Sequence, residues 1–188
     1  HDRASQVLGL DRETAKRMGM GMLTMMSPPT LAGHMRWPLE KARAAHSAFL
    51  TDAFPKIKEF QDQAVHVFRR RGYVKTILGR RAYCNEPKFA YRAVSRIIQN
   101  VGGEHLKMCL LRACEYEDAY PDQVQILLTI HDSLLWQRRP DHRPTELIYS
   151  IENVAKELNL SVPIPFGLGS GNDWARASYG DKLDKYVE

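Results

Sequence analysis

The segment that most constrains this chain is a group of three polar residues between two apolar runs. Residues 126–130 and 134–136 are strand-like, and His131, Asp132 and Ser133 separate them. Apolar runs of this length, interrupted by a few polar residues, predict two strands joined by a tight turn. An ionised carboxylate flanked by such residues needs a compensating cation, and a divalent metal ion is the strongest one available. Asp132 is therefore the first candidate functional residue.

Composition limits the classes of protein to consider. With 188 residues and 44% hydrophobic content, the chain is long enough to bury a core. Its three cysteines are odd in number and lack metal-ligand spacing, which disfavours a structural zinc site and favours a reducing compartment. No apolar run approaches the length of a membrane span, so we expect a soluble, cytoplasmic protein without a membrane partner. Because the chain begins at His1, we expect a processed, shortened or split polypeptide.

Positive charge is concentrated in one segment. Residues 69–96 contain nine Lys or Arg residues and a single acid, Glu86, whereas the formal net charge of the whole chain is only +5. Such a segment is typical of a surface that binds a polyanion, and nucleic acid is the usual candidate. A solvated surface helix and hairpin would give the same pattern, so charge alone leaves both interpretations open.

Local patterns predict an α+β chain with more helix than strand. Asp11 is a suitable N-cap for a helix that ends before Pro28 and Pro29, and Gly72 is a suitable C-terminal residue for another. The predicted helices cover 11–26, 39–54, 55–71, 89–116 and a segment after Pro144. The predicted strands are a hairpin over 73–83 that turns at Gly79 and Arg80, the pair around position 132, and a final strand over 162–168.

Two cations in the first predicted helix form a candidate anion site. Arg12 and Lys16 are four residues apart and therefore share one face. They can jointly hold a triphosphate, which Arg12 would grip bidentately while Lys16 acts as a point charge. Gly19 and Gly21 each cost about 1 kcal/mol in a helix relative to Ala, so close approach of a ligand would explain them. Taken alone, such a pair is more commonly explained by a solvated helix face.

Taken in order, these elements resemble the C-terminal part of family A DNA polymerases, which include bacterial DNA polymerase I and several phage replicases. The family motif Arg-x-x-x-Lys-x-x-x-aromatic-Gly is matched by Arg12, Lys16 and Gly21, and the family hairpin by residues 71–81. The motif apolar-His-Asp-Glu is met by residues 130–132. The resemblance runs from residue 11 to residue 174, and we take its nearest type to be a phage enzyme.

The resemblance implies a fold and a domain organisation. It implies an incomplete right-hand polymerase of the α+β class, with a mostly helical fingers lobe and a palm portion that carries a small antiparallel sheet. Residues 1–71 would be fingers helices. Residues 72–188 would comprise the basic hairpin, a long helix and the distal palm with its metal-binding turn.

The resemblance also implies an activity, which is template-directed nucleotidyl transfer by a two-metal mechanism. Asp132 would bind Mg²⁺, and the two ions would clamp the attacking 3′ oxygen and the leaving pyrophosphate. Arg12 and Lys16 would neutralise the triphosphate of the dNTP, and Lys16 would also protonate the pyrophosphate as it leaves. Met20 and Thr24 would complete the dNTP site.

Five further residues would contact primer-template DNA. Every correct base pair presents acceptors at the same minor-groove positions, so the amide of Gln99 would test pair geometry without reading sequence. Ser95 lies on the same predicted helix. Arg80 and Arg81 would hold phosphates, and His131 would lie against the primer terminus.

The chain departs from the family pattern in ways that suggest two hypotheses. Met20, Thr24 and Ser133 replace family functional residues, and no segment before residue 11 matches the strand that carries the second catalytic carboxylate. We therefore expect an N-terminal polymerase fragment as a partner that supplies this Asp, and no activity from this chain alone. The alternative is a catalytically silent primer-template DNA-binding module. A metal-dependent nuclease would need a local cluster of carboxylates, which the sequence lacks.

Overall fold

A computed structural model describes residues 2–83 and 86–179 of the chain. The helices are α1 (Asp2–Leu8), α2 (Arg12–Leu23), α3 (Pro28–Met35), α4 (Leu39–Ala48), α5 (Pro55–Arg71), α6 (Arg92–Ala119), α7 (Thr145–Glu157) and α8 (Trp174–Tyr179). The strands are β1 (Tyr73–Lys75), β2 (Arg81–Tyr83), β3 (Val124–Ile130) and β4 (Ser133–Arg138). A π-helical turn covers Phe49–Ala53, and a short 3₁₀ helix covers Pro87–Phe89.

The chain divides into two compact units that meet within α6, between Leu106 and Lys107. Each unit contains one two-stranded antiparallel sheet, β1–β2 in the first and β3–β4 in the second. The predicted α+β class is therefore confirmed, and both predicted hairpins form small sheets in the described part of the chain. The predicted division between residues 71 and 72 separates fingers from palm by role, and it stays a prediction.

Helices α1 to α4 enclose the main core of the first unit. Its buried members include Ala15, Met18 and Met22 of α2, together with Leu31 and Phe49. Helix α2 ends earlier than predicted, and the two prolines expected only to stop it also begin α3. Proline is favoured at a first helical position because its missing N–H has no partner there in any case. The Ser27 side chain caps the same helix by accepting from Thr30 N.

The predicted break at Pro55 is confirmed, because α5 begins there after the π-helical turn. Helix α5 ends at Gly72, whose φ of 74° is the left-handed conformation that glycine adopts without strain. The hairpin that follows buries Val74 and Ala82 against Phe68 of α5 and Ala93 of α6. The hairpin is thereby fixed to both helices.

The second unit packs β3–β4 and α7 against the C-terminal half of α6. Its core contains Cys109 and Ala113 of α6 with Leu147 and Val154 of α7, and Trp136 of β4 packs against them. The strand predicted over 162–168 is wrong, because those residues lie outside every strand. Prolines at positions 163 and 165 explain the difference, since each lacks the N–H that a sheet ladder requires.

Within the described part of the chain, no helix combines the length and the apolar character needed to cross a bilayer.

Candidate functional site

Helix α2 presents one buried face and one exposed face. Asp11 caps it by accepting a hydrogen bond from Thr14 N at 3.0 Å, as predicted, and the hydrogen bonds from Thr14 lower the pKa of Asp11. Arg12, Lys16 and Met20 are all exposed. Because they follow one another at intervals of four residues, they form a single row. The row spans about 12 Å along the helix, which is long enough to contact both the phosphates and the base of a nucleotide.

The charge at the start of this row has a partner within the chain. The Arg12 guanidinium Nε lies 3.0 Å from Asp2 Oδ1, and both side chains are largely exposed, 67% and 80% respectively. Exposed pairs of this kind contribute little to stability. A triphosphate, with several charges and bidentate geometry, can therefore displace Asp2 from Arg12. Lys16 takes part in no ion pair within residues 2–83 and 86–179.

Two side chains of the first unit lie beside the glycines of α2. A Cβ at Gly21 would collide with the Cε methyl of Met26, and one at Gly19 would lie 3.6 Å from the Phe49 ring. Met26 Cε is the end of a flexible side chain and 3.6 Å is an ordinary van der Waals distance, so neither contact requires glycine. The expectation that close approach of a ligand explains these small residues stays a prediction.

The C-terminal end of α2 is held by a residue that the sequence did not single out. Gln61 of α5 is 2% exposed, and its Nε2 donates to Met22 O at 2.7 Å and to Leu23 O at 3.2 Å. The Thr24 hydroxyl donates to Met20 O at 3.1 Å and to Gly21 O at 3.0 Å. Carbonyls at a helix end have no partner within the helix, so these bonds satisfy them. Thr24 therefore contributes to the helix end as well as to the predicted dNTP site.

A second missed residue joins the basic hairpin to α6. Glu104 is 3% exposed; its Oε2 accepts from Leu78 N at 3.0 Å and its Oε1 accepts from Arg80 Nε at 3.4 Å. Arg80 also donates to Asn100 Oδ1. Burial raises the pKa of Glu104, whereas its hydrogen bonds and the charge of Arg80 lower that pKa. The lowering is the larger effect, so the net pKa lies below its usual value. Arg80 is thus engaged within the first unit, although its predicted role is to hold phosphates.

The first two turns of α6 form an open depression of about 480 Å³. Its lining comprises Arg92, Ser95, Arg96, Gln99 and Asn100. Ser95 and Gln99, both predicted to contact primer-template DNA, are therefore brought together beside two arginines. The result is a cationic surface with amide and hydroxyl donors, which suits a nucleic-acid groove.

Asp132 lies in the turn of the β3–β4 hairpin, as its position between two apolar runs predicts. Ile130 pairs with Ser133, so His131 and Asp132 form the whole turn. His131 has a φ of 54°, a conformation for which histidine is enriched among residues other than glycine. Asp132 is exposed, and its nearest side-chain partner is the Ser133 hydroxyl at 3.5 Å. The expectation that burial obliges Asp132 to bind a cation is therefore wrong.

The β3–β4 turn offers a metal ion one carboxylate, that of Asp132, which is a ligand type that Mg²⁺ prefers. Within residues 2–83 and 86–179, no three His, Cys, Asp or Glu side chains come together to hold a metal ion. Magnesium is commonly bound by one or two carboxylates, with water and substrate phosphates completing an octahedron. An exposed carboxylate in the two-residue turn of a hairpin fits the role of one such ligand. It is insufficient as a site by itself.

Comparison of structures shows the fold. The chain superposes with a TM-score of 0.81 on the POL domain of Pol1 from M. smegmatis, solved in complex with DNA primer-template and dNTP. The match covers 94% of this chain and 34% of that chain at 23% sequence identity. The described elements therefore correspond to a part of a polymerase domain, which agrees with the predicted incomplete right-hand fold.

Comparison of sequences shows the family. The chain is 26% identical over 182 residues to the thermostable DNA polymerase I of Thermus aquaticus and 26% identical over 174 residues to DNA polymerase I of Borreliella burgdorferi. These alignments cover 89% and 87% of this chain but 21% and 19% of the relatives, so the chain spans about a fifth of their length. The family model for DNA polymerase family A matches residues 2–176, and the chain belongs to that family.

Proposed function

We propose that this chain is the fingers and distal palm of a phage-type, DNA-directed DNA polymerase that adds nucleotides to a primer by a two-metal mechanism. Residues 1–71 would be the fingers, and residues 72–188 the hairpin, the long helix and the distal palm. The observation that carries the proposal is the exposed row of Arg12, Lys16 and Met20 on a helix whose opposite face is buried. Such a helix holds its cations in place without using them for folding.

The dNTP would lie along this row. The planar fork of Arg12 would contact two phosphate oxygens in place of Asp2, and the Lys16 ammonium would contact a third. Lys16 carries three donors on a flexible stem, so it would also supply a proton to the pyrophosphate as that group leaves. Met20 would cover the base with an apolar and polarisable surface, which is smaller and less rigid than an aromatic ring. Thr24 would close the far end of the dNTP site.

Asp132 would provide one carboxylate ligand to Mg²⁺, which when bound stabilises the charge on the attacking and leaving oxygens. The second catalytic Asp would come from an N-terminal polymerase segment. The β3–β4 sheet supports this arrangement, since each of its strands pairs on one side only among the described residues. Leu127 and Leu128 of β3 are each 45% exposed, which provides apolar surface for an added strand to cover.

Primer-template DNA would occupy the surfaces outside the dNTP row. Gln99 would donate to minor-groove acceptors, and Ser95 beside it would contact the sugar-phosphate backbone. Arg81 would contact phosphates, and Arg80 would do so while it remains bonded to Glu104. His131, next to the metal ligand in the β3–β4 turn, would lie against the primer terminus.

Primer extension by a reconstituted enzyme tests this proposal. The chain is mixed with an N-terminal fragment of a family A polymerase that carries the other catalytic Asp, and Mg²⁺-dependent extension is measured. A metal ion that stabilises the transition state by several kcal/mol predicts a loss of roughly 100- to 1000-fold for Asp132→Ala. Asp122→Ala, an exposed carboxylate in the turn before β3, is the matched control. Extension that survives Asp132→Ala would refute the metal role.

The second candidate function is a catalytically silent primer-template DNA-binding module. Met20, Thr24 and Ser133 favour it, because each stands where the family pattern has a functional residue. Such a module would bind primer-template DNA with strong salt dependence but show no extension with any complementing fragment. The same reconstitution therefore separates the two functions.

A further inference from the structure

The β1–β2 hairpin has an outward face made of two aromatic and two cationic side chains. The strands pair Tyr73 with Tyr83, Val74 with Ala82 and Lys75 with Arg81. Because successive residues of a strand point to opposite sides, the middle pair enters the core and the outer pairs share the other face. We call Tyr73, Lys75, Arg81 and Tyr83 the outer hairpin face.

The two rings of this face lie beside each other; Tyr83 is open to solvent, whereas Tyr73 is half-buried. The centroids of Tyr73 and Tyr83 lie 5.5 Å apart with 53° between the ring planes. The Arg81 guanidinium lies 4.8 Å from the centre of the Tyr73 ring. Tyr83 is 54% exposed, a large fraction for an aromatic side chain in a paired strand. Its exposed surface is therefore available to a planar ligand.

The cations of the outer hairpin face have no acidic partner. Among the ion pairs of residues 2–83 and 86–179, none includes Lys75 or Arg81, whereas the neighbouring Arg80 is paired with Glu104. Three more arginines, at positions 69 to 71, form the last turn of α5 immediately before β1. The face therefore combines uncompensated positive charge with the exposed ring of Tyr83.

We propose that the outer hairpin face binds single-stranded DNA. Bases stack on exposed aromatic rings regardless of sequence, and nearby cations contact the phosphates; this combination defines sequence-tolerant single-strand binding. Tyr83 would stack an unpaired base with Tyr73 supporting its ring from behind, and Lys75 and Arg81 would contact the backbone. A base-paired duplex offers no free base faces, so the ligand is the unpaired strand. This inference rests on the proposed function only in identifying that strand as template.

The competing explanation is that the aromatic pair only stabilises the hairpin. Cross-strand aromatic pairs do so in many sheets. Two variants separate the explanations: Tyr83→Phe keeps the ring, and Tyr83→Leu keeps apolar bulk but removes the ring. Tyr149→Leu is the matched control, because Tyr149 is 67% exposed on α7 in the other unit.

Binding is measured by fluorescence anisotropy of a labelled dT12 oligonucleotide with the full chain, in EDTA and without dNTP. Loss of one stacked base predicts about 5- to 150-fold weaker binding for Tyr83→Leu, and a change below about twofold for Tyr83→Phe and Tyr149→Leu. Arg81→Gln should reduce the slope of log K against log salt concentration by about 0.7. The binding assay contains neither metal nor dNTP, so its outcome does not depend on whether the chain supports primer extension.

A direct mapping keeps the proposal testable if Tyr83→Leu fails to fold. An oligonucleotide carrying 5-iododeoxyuridine is irradiated with the unmodified chain, and the crosslinked peptide is identified by mass spectrometry. Crosslinks at Tyr73 or Tyr83 support the proposal. Equal binding by folded Tyr83→Leu, or crosslinks confined to other segments, would overturn it.

Discussion

Replacing Gln61 by Leu should destabilise the core of the first unit without changing its surface. The Gln61 side chain is 2% exposed and donates two hydrogen bonds, to Met22 O and to Leu23 O. Leucine has a similar volume but no donor. The substitution therefore removes both donated bonds: Met22 O keeps the hydrogen bond from Met25 N, whereas the half-buried Leu23 O loses the Gln61 donor. The similar volume of leucine leaves no large cavity.

The expected magnitude follows from those two bonds. Loss of the bond to Met22 O, which keeps Met25 N as a donor, costs about 1 kcal/mol, and leaving Leu23 O without the Gln61 donor costs about 1–3 kcal/mol. The two effects together predict that the free energy of unfolding falls by about 2–4 kcal/mol, a large part of the 5–15 kcal/mol typical of a domain. A surface substitution on the same helix changes it by less than about 0.5 kcal/mol.

Urea unfolding followed through the methyl signals of methionine measures this change in the unit concerned. Met18 and Met22 are buried in the core that contains α2, so their ¹³C-methyl resonances report the unfolding of that core. Gln63→Leu is the matched control, because Gln63 lies on α5 two residues away and is exposed. If Gln61→Leu and Gln63→Leu unfold at the same urea concentration, the two hydrogen bonds do not stabilise α2 and the reasoning is refuted.

Two further predictions concern titratable groups in the helices. The pKa of Glu104 lies below its ordinary value of 4.5, so the stability it contributes is present above about pH 4.5 and is lost as the pH falls through the lower, folded-state pKa. The stability of Glu104→Gln should therefore lack the decrease that the unsubstituted chain shows over this pH range. Identical acid-unfolding curves for the two proteins would contradict the assignment. Burial raises the pKa of the Cys109 thiol to about 11. In a Cys84→Ser background at pH 8, iodoacetamide should therefore modify exposed Cys114 long before Cys109, as peptide mass spectrometry would show.

The parts of the fold that follow from neighbouring residues could be predicted from the sequence. Asp11 caps α2, Gly72 ends α5, and the turn of the second hairpin falls at His131 and Asp132, because each depends on backbone chemistry within four residues. The predicted strand over 162–168 illustrates the limit of such rules. Its apolar composition favoured a strand, but the missing N–H groups of two prolines prevail.

The candidate site shows the same division between local and distant causes. The shared face of Arg12 and Lys16 follows from helical spacing alone. Gln61 and Glu104 could not be identified in this way, because their partners are 38 or 39 and 24 or 26 residues away in the chain. Helical spacing does place Gln61 on a buried face, since Gln61, Ala64 and Phe68 line one side of α5. A polar residue on such a face was the available signal.

The described polar groups fall into two classes with different expected effects on mutation. Gln61 and Glu104 are buried and bonded within their own unit, so their loss should lower stability. Asp132 and Tyr83 are exposed and contribute little to the cores, so their loss should affect binding or extension at nearly constant stability. A protein under selection for folding alone gains nothing from an uncompensated cationic face or from a lone carboxylate at an exposed turn. If Asp132→Ala unfolded the second unit as readily as Gln61→Leu unfolds the first, this division would fail, and the exposed carboxylate would have to be explained by folding instead of by a ligand.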